Sequence, residues 1–302
     1  VRLTPSLDEL AGDEAVVLDE GVRLVCDDAL DWLRSLPDHS IHAVVTDPPY
    51  ALVEYEARDH DKLRGGRGGV WRIPPTLDGV QRRPVPRFTV LKEADLVRLD
   101  ALFTALGEVL ARVLVPGGHV LMAATPLLSS RIFVRMTDGG LHKRGELIRL
   151  VQTLRGGDRP KGAHEEFADV TVMPRSGWEP WGLFRAPLDG TVAHTLRTWG
   201  TGGLRRVSDE QPFRDVIESS PTPRRERAIA NHPSLKPQAL MRQLVRASLP
   251  LGRGVVVDPF CGGGSTLAAA ARLGYRAIGV ERDPEYARLA IDAFEGLRDL
   301  EV

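Results

Sequence analysis

The chain has 302 residues, 42% of them hydrophobic and 27% charged, with a formal net charge of −1. That balance supplies enough apolar side chains for a large core and excludes binding to nucleic acid by bulk electrostatics, leaving only local basic patches for that purpose. No run of eighteen apolar residues occurs and the acidic start VRLTPSLDELAGDE lacks a basic, then apolar, leader, so no membrane partner is expected and a cytoplasmic location is. Cys26 and Cys261 lack CxxC spacing and the eight histidines are scattered, so neither a disulfide framework nor a bound metal is expected.

In chain order, VRLVCDD (22–28) reads as a strand and ALDWLRSLP as the helix behind it. IHAVVTD (41–47) is a continuous apolar run of the kind buried on both faces of a sheet. A basic stretch from Arg58 to Lys92 follows, and then Leu99, Leu102, Phe103, Leu106, Leu110 and Val113 recur at helical spacing up to Pro116-Gly117-Gly118. HVLMAAT, ELIRLVQTL and DVTVMP read as strands, with WGLFRAP (181–187) pairing with the last in a hairpin. From 155 to 230 periodicity weakens while Gly, Pro and Arg accumulate, which predicts an insertion with its own task. Order returns with a helix in KPQALMRQLVRA, a strand in GVVVDPF, a helix in STLAAAARL, a strand in RAIGVE and a terminal helix in PEYARLAIDAFEGL. Strands alternating with helices predict an α/β fold, mostly parallel, with helices on both faces of the sheet.

Two stretches carry chemistry. In DPFCGGGST (258–266) a strand runs into glycines and then a helix start, so a ligand can approach bare backbone, and Glu281 closes the next strand where a carboxylate can accept from both ribose hydroxyls. A triphosphate loop would need lysine after the glycines, and a dinucleotide loop a small residue where Leu267 stands. A nucleoside with one ribose and no pyrophosphate grip, as in S-adenosyl-L-methionine, suits what is written; a glycine turn without ligand, with Asp258 as a helix cap, is the competing account.

In VVTDPPY (44–50) an aspartate, two prolines and a tyrosine follow an apolar strand. A ring-bound amine of adenine or cytosine is a poor nucleophile because its lone pair is delocalised. Two acceptors on its two hydrogens, the Asp47 carboxylate and the Pro48 carbonyl, pull the nitrogen toward tetrahedral geometry. Pro48 and Pro49 fix the backbone and Tyr50 offers a face to an extruded base.

The chain resembles the DNA amino-methyltransferases of the permuted order, in which the DPPY motif comes first, then a target-recognition region, then the AdoMet motif DPFxGxGxT. The resemblance implies a circularly permuted Rossmann-like methyltransferase fold, with a catalytic half at 1–154, target recognition at 155–230 and an AdoMet-binding half at 231–302. It implies cofactor contacts from Asp258, Pro259, Phe260, Gly262, Gly264, Ser265, Thr266 and Glu281. HPSLKP is similar to an element that lines the methionine end of the cofactor, which implicates His232, Pro233, Lys236 and Pro237, and Asp28 is similar to an acid near the adenine. Gly263, where the family more often has Ser or Ala, implies a looser turn. The expected substrate is double-stranded DNA, with adenine N6 favoured by the aspartate of DPPY and cytosine N4 as the alternative. The family is also compatible with a homodimer and a partner restriction endonuclease. An RNA or protein-glutamine methyltransferase would place the AdoMet loop first, and a DNA-binding protein without turnover would have no need of Asp47, Tyr50 and Glu281. Trp178, Trp181 and Trp199 are expected either to pack the insertion or to touch a base, and Tyr286 to pack.

Overall fold

A computed structural model of the chain describes residues 5–50, 70–71, 85–86, 93–151, 159–160, 162–232 and 234–302. They divide into two units, Val1–Pro48 with Phe103–Val302, and Pro49–Leu102. In the second unit the described parts are Pro49 and Tyr50, an antiparallel pair of two-residue strands and the opening turns of a helix; the arginines and lysines from Arg58 to Lys92 lie outside the described residues.

In chain order the strands are β1 (Val16–Asp19), β2 (Val22–Val25), β3 (Ile41–Thr46), the second unit's β4 (Val70–Trp71) and β5 (Val85–Pro86), β6 (Leu114–Ala123), β7 (His142–Leu150), β8 (Trp178–Arg185), β9 (Val216–Glu218), β10 (Val255–Asp258) and β11 (Arg276–Val280). The helices are α1 (Leu7–Ala11), α2 (Ala29–Ser35), α3 (Glu93–Val113), α4 (Ser129–Asp138), α5 (Val192–Trp199), α6 (Arg224–Ile229), α7 (Gln238–Ser248), α8 (Ser265–Arg272) and α9 (Pro284–Arg298).

The first unit is built on one nine-stranded sheet in the order β1-β2-β11-β10-β3-β6-β8-β7-β9. The run β2-β11-β10-β3-β6 is parallel throughout, whereas β8 is antiparallel to both of its neighbours. The central β3 and β10 are β-branched, and every residue of each is buried, as expected of parallel strands covered on both faces. One cover buries Leu240, Met241, Leu244 and Val245 of α7, the alanine-rich α8, and Phe294 and Leu297 of α9 against Ala43, Val45, Val256 and Ala277. Alternate strand residues face the other way, so Val44, Val120, Met122 and Val257 are buried on the opposite side.

Several expectations change. Residues 169–174 form no strand, and 181–187 does not pair with them: β8 instead lies between β6 and β7, because WEPWGLFR aligns residue for residue with ELIRL and with the end of β6. Strands β8 and β9, both within 155–230, therefore belong to the same sheet as β3 and β10. Pro116-Gly117-Gly118 does not end a helix before a strand but lies inside β6, where Ile41 pairs with Leu114 and Ala43 already with His119. The extra residues are absorbed by Gly117 at φ +77 and by Gly118, where a Cβ would meet the His42 carbonyl oxygen at 2.8 Å. Among the described residues no helix is long and apolar enough to cross a membrane, and no cluster suits a metal ion.

Helices α3 and α4 meet through Gly107. A Cβ there would lie 2.7 Å from the Met136 carbonyl oxygen and 3.1 Å from the Met136 and Gly139 Cα atoms, all of them backbone that cannot swing aside. Gly107→Ala should therefore lower stability although alanine is the better helix former: overpacking costs about 1–3 kcal/mol against ~1 kcal/mol of propensity gained. Thermal unfolding of the variant should show a Tm reduced by a few degrees, and an unchanged or raised Tm would contradict this packing.

Candidate functional site

From β10 the chain crosses through α8 to β11, and from β3 it reaches β6 on the other side. The direction of winding reverses between β10 and β3, and in open α/β sheets the crevice for a ligand lies beyond the carboxyl ends of strands at such a reversal. Asp47-Pro48 and the loop Pro259–Gly264 leave the sheet at that point, side by side, although some 200 residues separate them in sequence. Pro49 and Tyr50 belong to the second unit.

Asp258 fastens the two strands. Its Oδ1 accepts from Thr46 Oγ1 of β3 at 2.7 Å and from the Phe260 amide at 3.2 Å, and its Oδ2 accepts from Thr266 Oγ1 of α8 at 2.5 Å. Both oxygens are thus engaged by protein donors. Burial raises its pKa to about 6, a cost that the two hydroxyls and the amide reduce and the nearby Asp47 charge increases.

The loop needs glycine where it turns. Gly262 has φ +48 and Gly264, capping α8, has φ +79, both in the left-handed region. The imidazole of His232 leaves no room above them: a Cβ at Gly262 would meet its Cε1 at 2.8 Å, and one at Gly263 its Cβ at 3.0 Å. Gly263 therefore lets a side chain press on the turn instead of loosening it. His232 also stacks edge-on against Tyr286 at 4.5 Å, and burial lowers its pKa to about 4. The flanking Cys261 thiol is buried and pushed well above its usual range, so it is kept protonated and inert.

Glu281, just past β11, accepts from the Gly262 amide at 2.9 Å through Oε2 and from the Asp283 amide at 2.9 Å through Oε1. It braces the loop and stands at the same edge of the sheet. Asp28 caps α2, taking the Leu30 and Asp31 amides on Oδ1, just beyond the end of β2. Pro259 is buried and Phe260 half-buried, while Ser265 and Thr266 open α8 with their side chains inward. Pro237 precedes α7, and Pro233 lies outside the described residues.

Lys236 does more than sit near the loop. Its ammonium donates to Asp47 Oδ2 at 2.5 Å and lies 3.1 Å from Glu179 Oε1. Arg149 Nη1 and Trp181 Nε1 both donate to Glu179 Oε2 at 3.1 Å, and Arg149 reaches onward to Ser219 Oγ and the Ser220 carbonyl. Two carboxylates and two cations alternate along the carboxyl edge of the sheet. Burial opposes ionisation of Glu179, but Lys236 and Arg149 outweigh it and hold the pKa at about 2; burial likewise opposes the Lys236 charge, and its two carboxylates keep its pKa raised. Glu179 and Arg149 carry no motif, and the only sequence signal for Glu179 was a charge set between Trp178 and Trp181. Trp181 is buried and so belongs to the packing; Trp199 is buried too, its indole bonded to Asp189 at 3.0 Å.

Residues 179–292 match the family model described as DNA methylase, of the N6/N4 type. A stretch of 87 residues is 34% identical to the type II methyltransferase M2.DpnII of Streptococcus pneumoniae and 31% identical to M2.LlaDCHI of Lactococcus lactis subsp. cremoris. Each match takes in 29% of this chain, and the chain spans only 32% of the length of either relative. Likeness of fold extends much further. TTHA0409 of Thermus thermophilus, a candidate DNA modification methylase whose structure holds S-adenosyl-L-methionine, superposes with TM-score 0.53 and 24% identity over 91% of this chain and 94% of that one. The cytosine-N4-specific PvuII DNA methyltransferase superposes with TM-score 0.58 and 16% identity over 91% and 86%. The fold is the Rossmann-like one of the DNA methyltransferases. The match to the N6/N4 DNA methylase model takes in residues 179–292 and no others.

The raised pKa of Asp258 has a consequence for stability. An acid whose pKa is higher folded than unfolded binds its proton more tightly in the native state, so its contribution is fully present below about pH 4 and is lost as pH rises to about 6. His232 and His42, both lowered to about 4, work in the opposite sense over an overlapping range, so only a difference between variants isolates Asp258. Relative to the unaltered chain, Asp258→Asn should gain roughly 2–3 kcal/mol between pH 4 and pH 7 in urea unfolding. Parallel curves would mean that Asp258 titrates as it does in water.

Proposed function

We propose that this chain transfers a methyl group from S-adenosyl-L-methionine to the exocyclic amine of a base turned out of double-stranded DNA, with adenine N6 the acceptor. The observation that carries the reading is the adjacency of Asp47-Pro48 and the Gly262–Gly264 loop at the winding reversal, which sets a pair of amine acceptors beside a nucleoside cradle.

The cradle fits that cofactor by its polar groups. Left-handed Gly262 and Gly264 turn the chain into the start of α8, Glu281 and Asp28 offer carboxylates at the ends of β11 and β2 for ribose and adenine, and the loop carries no lysine for a pyrophosphate. The cofactor supplies an electrophilic methyl on a sulfonium. The protein supplies orientation. Asp47 and the Pro48 carbonyl each accept one amine hydrogen, which localises the nitrogen lone pair and aims it, and Tyr50 stacks on the base to hold it out of the helix. Asp47 also stabilises the positive charge that grows on nitrogen as the new bond forms.

Base reading falls to the insertion, 155–230, but not to all of it. Arg205 is bonded to Tyr275 at 2.7 Å and Thr201 to the Pro116 carbonyl, both at the amino edge of the parallel strands and so away from Asp47. That Glu179 and Ser219 lie at the carboxyl edge with Asp47 supports base reading by the parts of the insertion around them. The names of the type II relatives support a place in restriction and modification in the cytoplasm, with an endonuclease of the same specificity as partner.

Asp47→Ala should cut methyl transfer to DNA roughly a hundredfold or more. Nucleoside mass spectrometry of the product should show N6-methyladenine; N4-methylcytosine instead would change the base and leave the mechanism, whereas full activity of Asp47→Ala would remove the mechanism. Glu281→Ala should weaken S-adenosyl-L-methionine by about 1–3 kcal/mol in calorimetry, through the lost ribose acceptor and the unbraced Gly262 amide.

A further inference from the structure

The charged chain at the carboxyl edge follows the order of the sheet. Asp47 ends β3, Glu179 opens β8, Arg149 is near the end of β7 and Ser219 follows β9; Lys236, from the segment before α7, bridges the gap over β6. None of its four ionic side chains is more than 20% exposed, so each charge is costly unless its neighbours stay in place. Glu179 is itself a residue of the insertion, and Arg149 ties it to the insertion's later part through Ser219 Oγ at 3.1 Å and the Ser220 carbonyl at 2.9 Å.

The geometry points to Glu179 as a positioning residue: held by Arg149 against residues 219–220 of the insertion, it keeps the Lys236 ammonium on the Asp47 carboxylate and so fixes the acceptor that aims the amine. This rests on the methyl-transfer reading above. Lys236 has two carboxylate partners and Asp47 is only one of them. Without Glu179 the ammonium has no anchor on the β8 side and can swing, carrying the Asp47 carboxylate with it. With Glu179 in place, a shift of the 219–220 turn when DNA is gripped is felt at Asp47 through four successive charge-assisted contacts. Glu179 is bonded to Arg149, Trp181 and Lys236, and of these only Lys236 reaches Asp47, so its effect passes through Lys236.

A mutant cycle separates this from a merely structural role. Single-turnover methylation of DNA and calorimetric affinity for S-adenosyl-L-methionine would be measured for the unaltered chain, Glu179→Gln, Lys236→Met and the double variant. Glu179→Gln should be at least roughly tenfold slower with cofactor affinity within about twofold, and the double variant no slower than Lys236→Met alone, because a residue that acts through another adds nothing once that one is gone. Losses that multiply in the double variant, or a Glu179→Gln rate near that of the unaltered chain, would overturn the proposal. Should Glu179→Gln not fold, Glu179→Asp keeps the charge on a shorter arm and should show the same cycle with a smaller loss. Nitrogen-15 NMR of the Lys236 ammonium supplies a readout independent of activity. Its protons should exchange slowly in the unaltered chain and fast in Glu179→Gln or Glu179→Asp; fast exchange in the unaltered chain would sink the clamp even if the DNA is methylated. An unaltered chain that methylates no DNA yet shows slow exchange would instead sink the methyl-transfer reading and leave the clamp.

Discussion

A carboxylate with three donors holds the two ends of the chain together. Asp258 takes hydroxyls from Thr46 and Thr266 and the Phe260 amide, and it is almost wholly buried at the seam between β3 and β10. Burying that charge is costly, as the rise of its pKa to about 6 records. In return the exits of the two strands, and therefore the DPPY aspartate and the glycine loop, cannot slide past one another. Every other distance at the carboxyl edge is measured from that seam.

The site built on it separates two kinds of charge. Asp258 is neutralised by hydrogen bonds from hydroxyls and an amide, which makes it a fixed post. Asp47 is balanced by an ammonium whose own position is set by Glu179, two strands further along the sheet, and by Arg149, three strands along. An ammonium on a flexible stem can follow small shifts of the carboxylate, whereas a hydrogen bond to backbone cannot. The loop opposite is stiffened differently, with His232 wedged on Gly262 and Gly263 and with the Gly262 amide bonded to Glu281.

The insertion takes on a different character once its strands are placed. Because β8 and β9 extend the central sheet, the segment is not an appendage on a hinge; its backbone is hydrogen-bonded to β6 and β7. Its α5 and the following turn wrap the amino edge, where Trp199 and Thr201 are buried, while its Glu179 and Ser219 lie at the carboxyl edge. One segment thus closes the far side of the sheet and frames the site on the near side.

What the sequence determined by itself was local. Continuous apolar runs announced β3 and β10, helical stripes announced α7 and α9, and the glycines announced the turn that opens α8, because each depends on neighbours within a few residues of chain. Tertiary structure decided the rest. Residues 169–174 have the alternation of a strand, but ELIRL offered β8 a better partner, and pairing is a competition that no single segment decides. The partnership of Lys236 with Asp47, and the anchoring of both by Glu179 and Arg149, follow from which strand lies beside which. Ion pairs across a sheet leave no spacing rule in the sequence, so those residues became visible only when the strand order brought their charges to one edge.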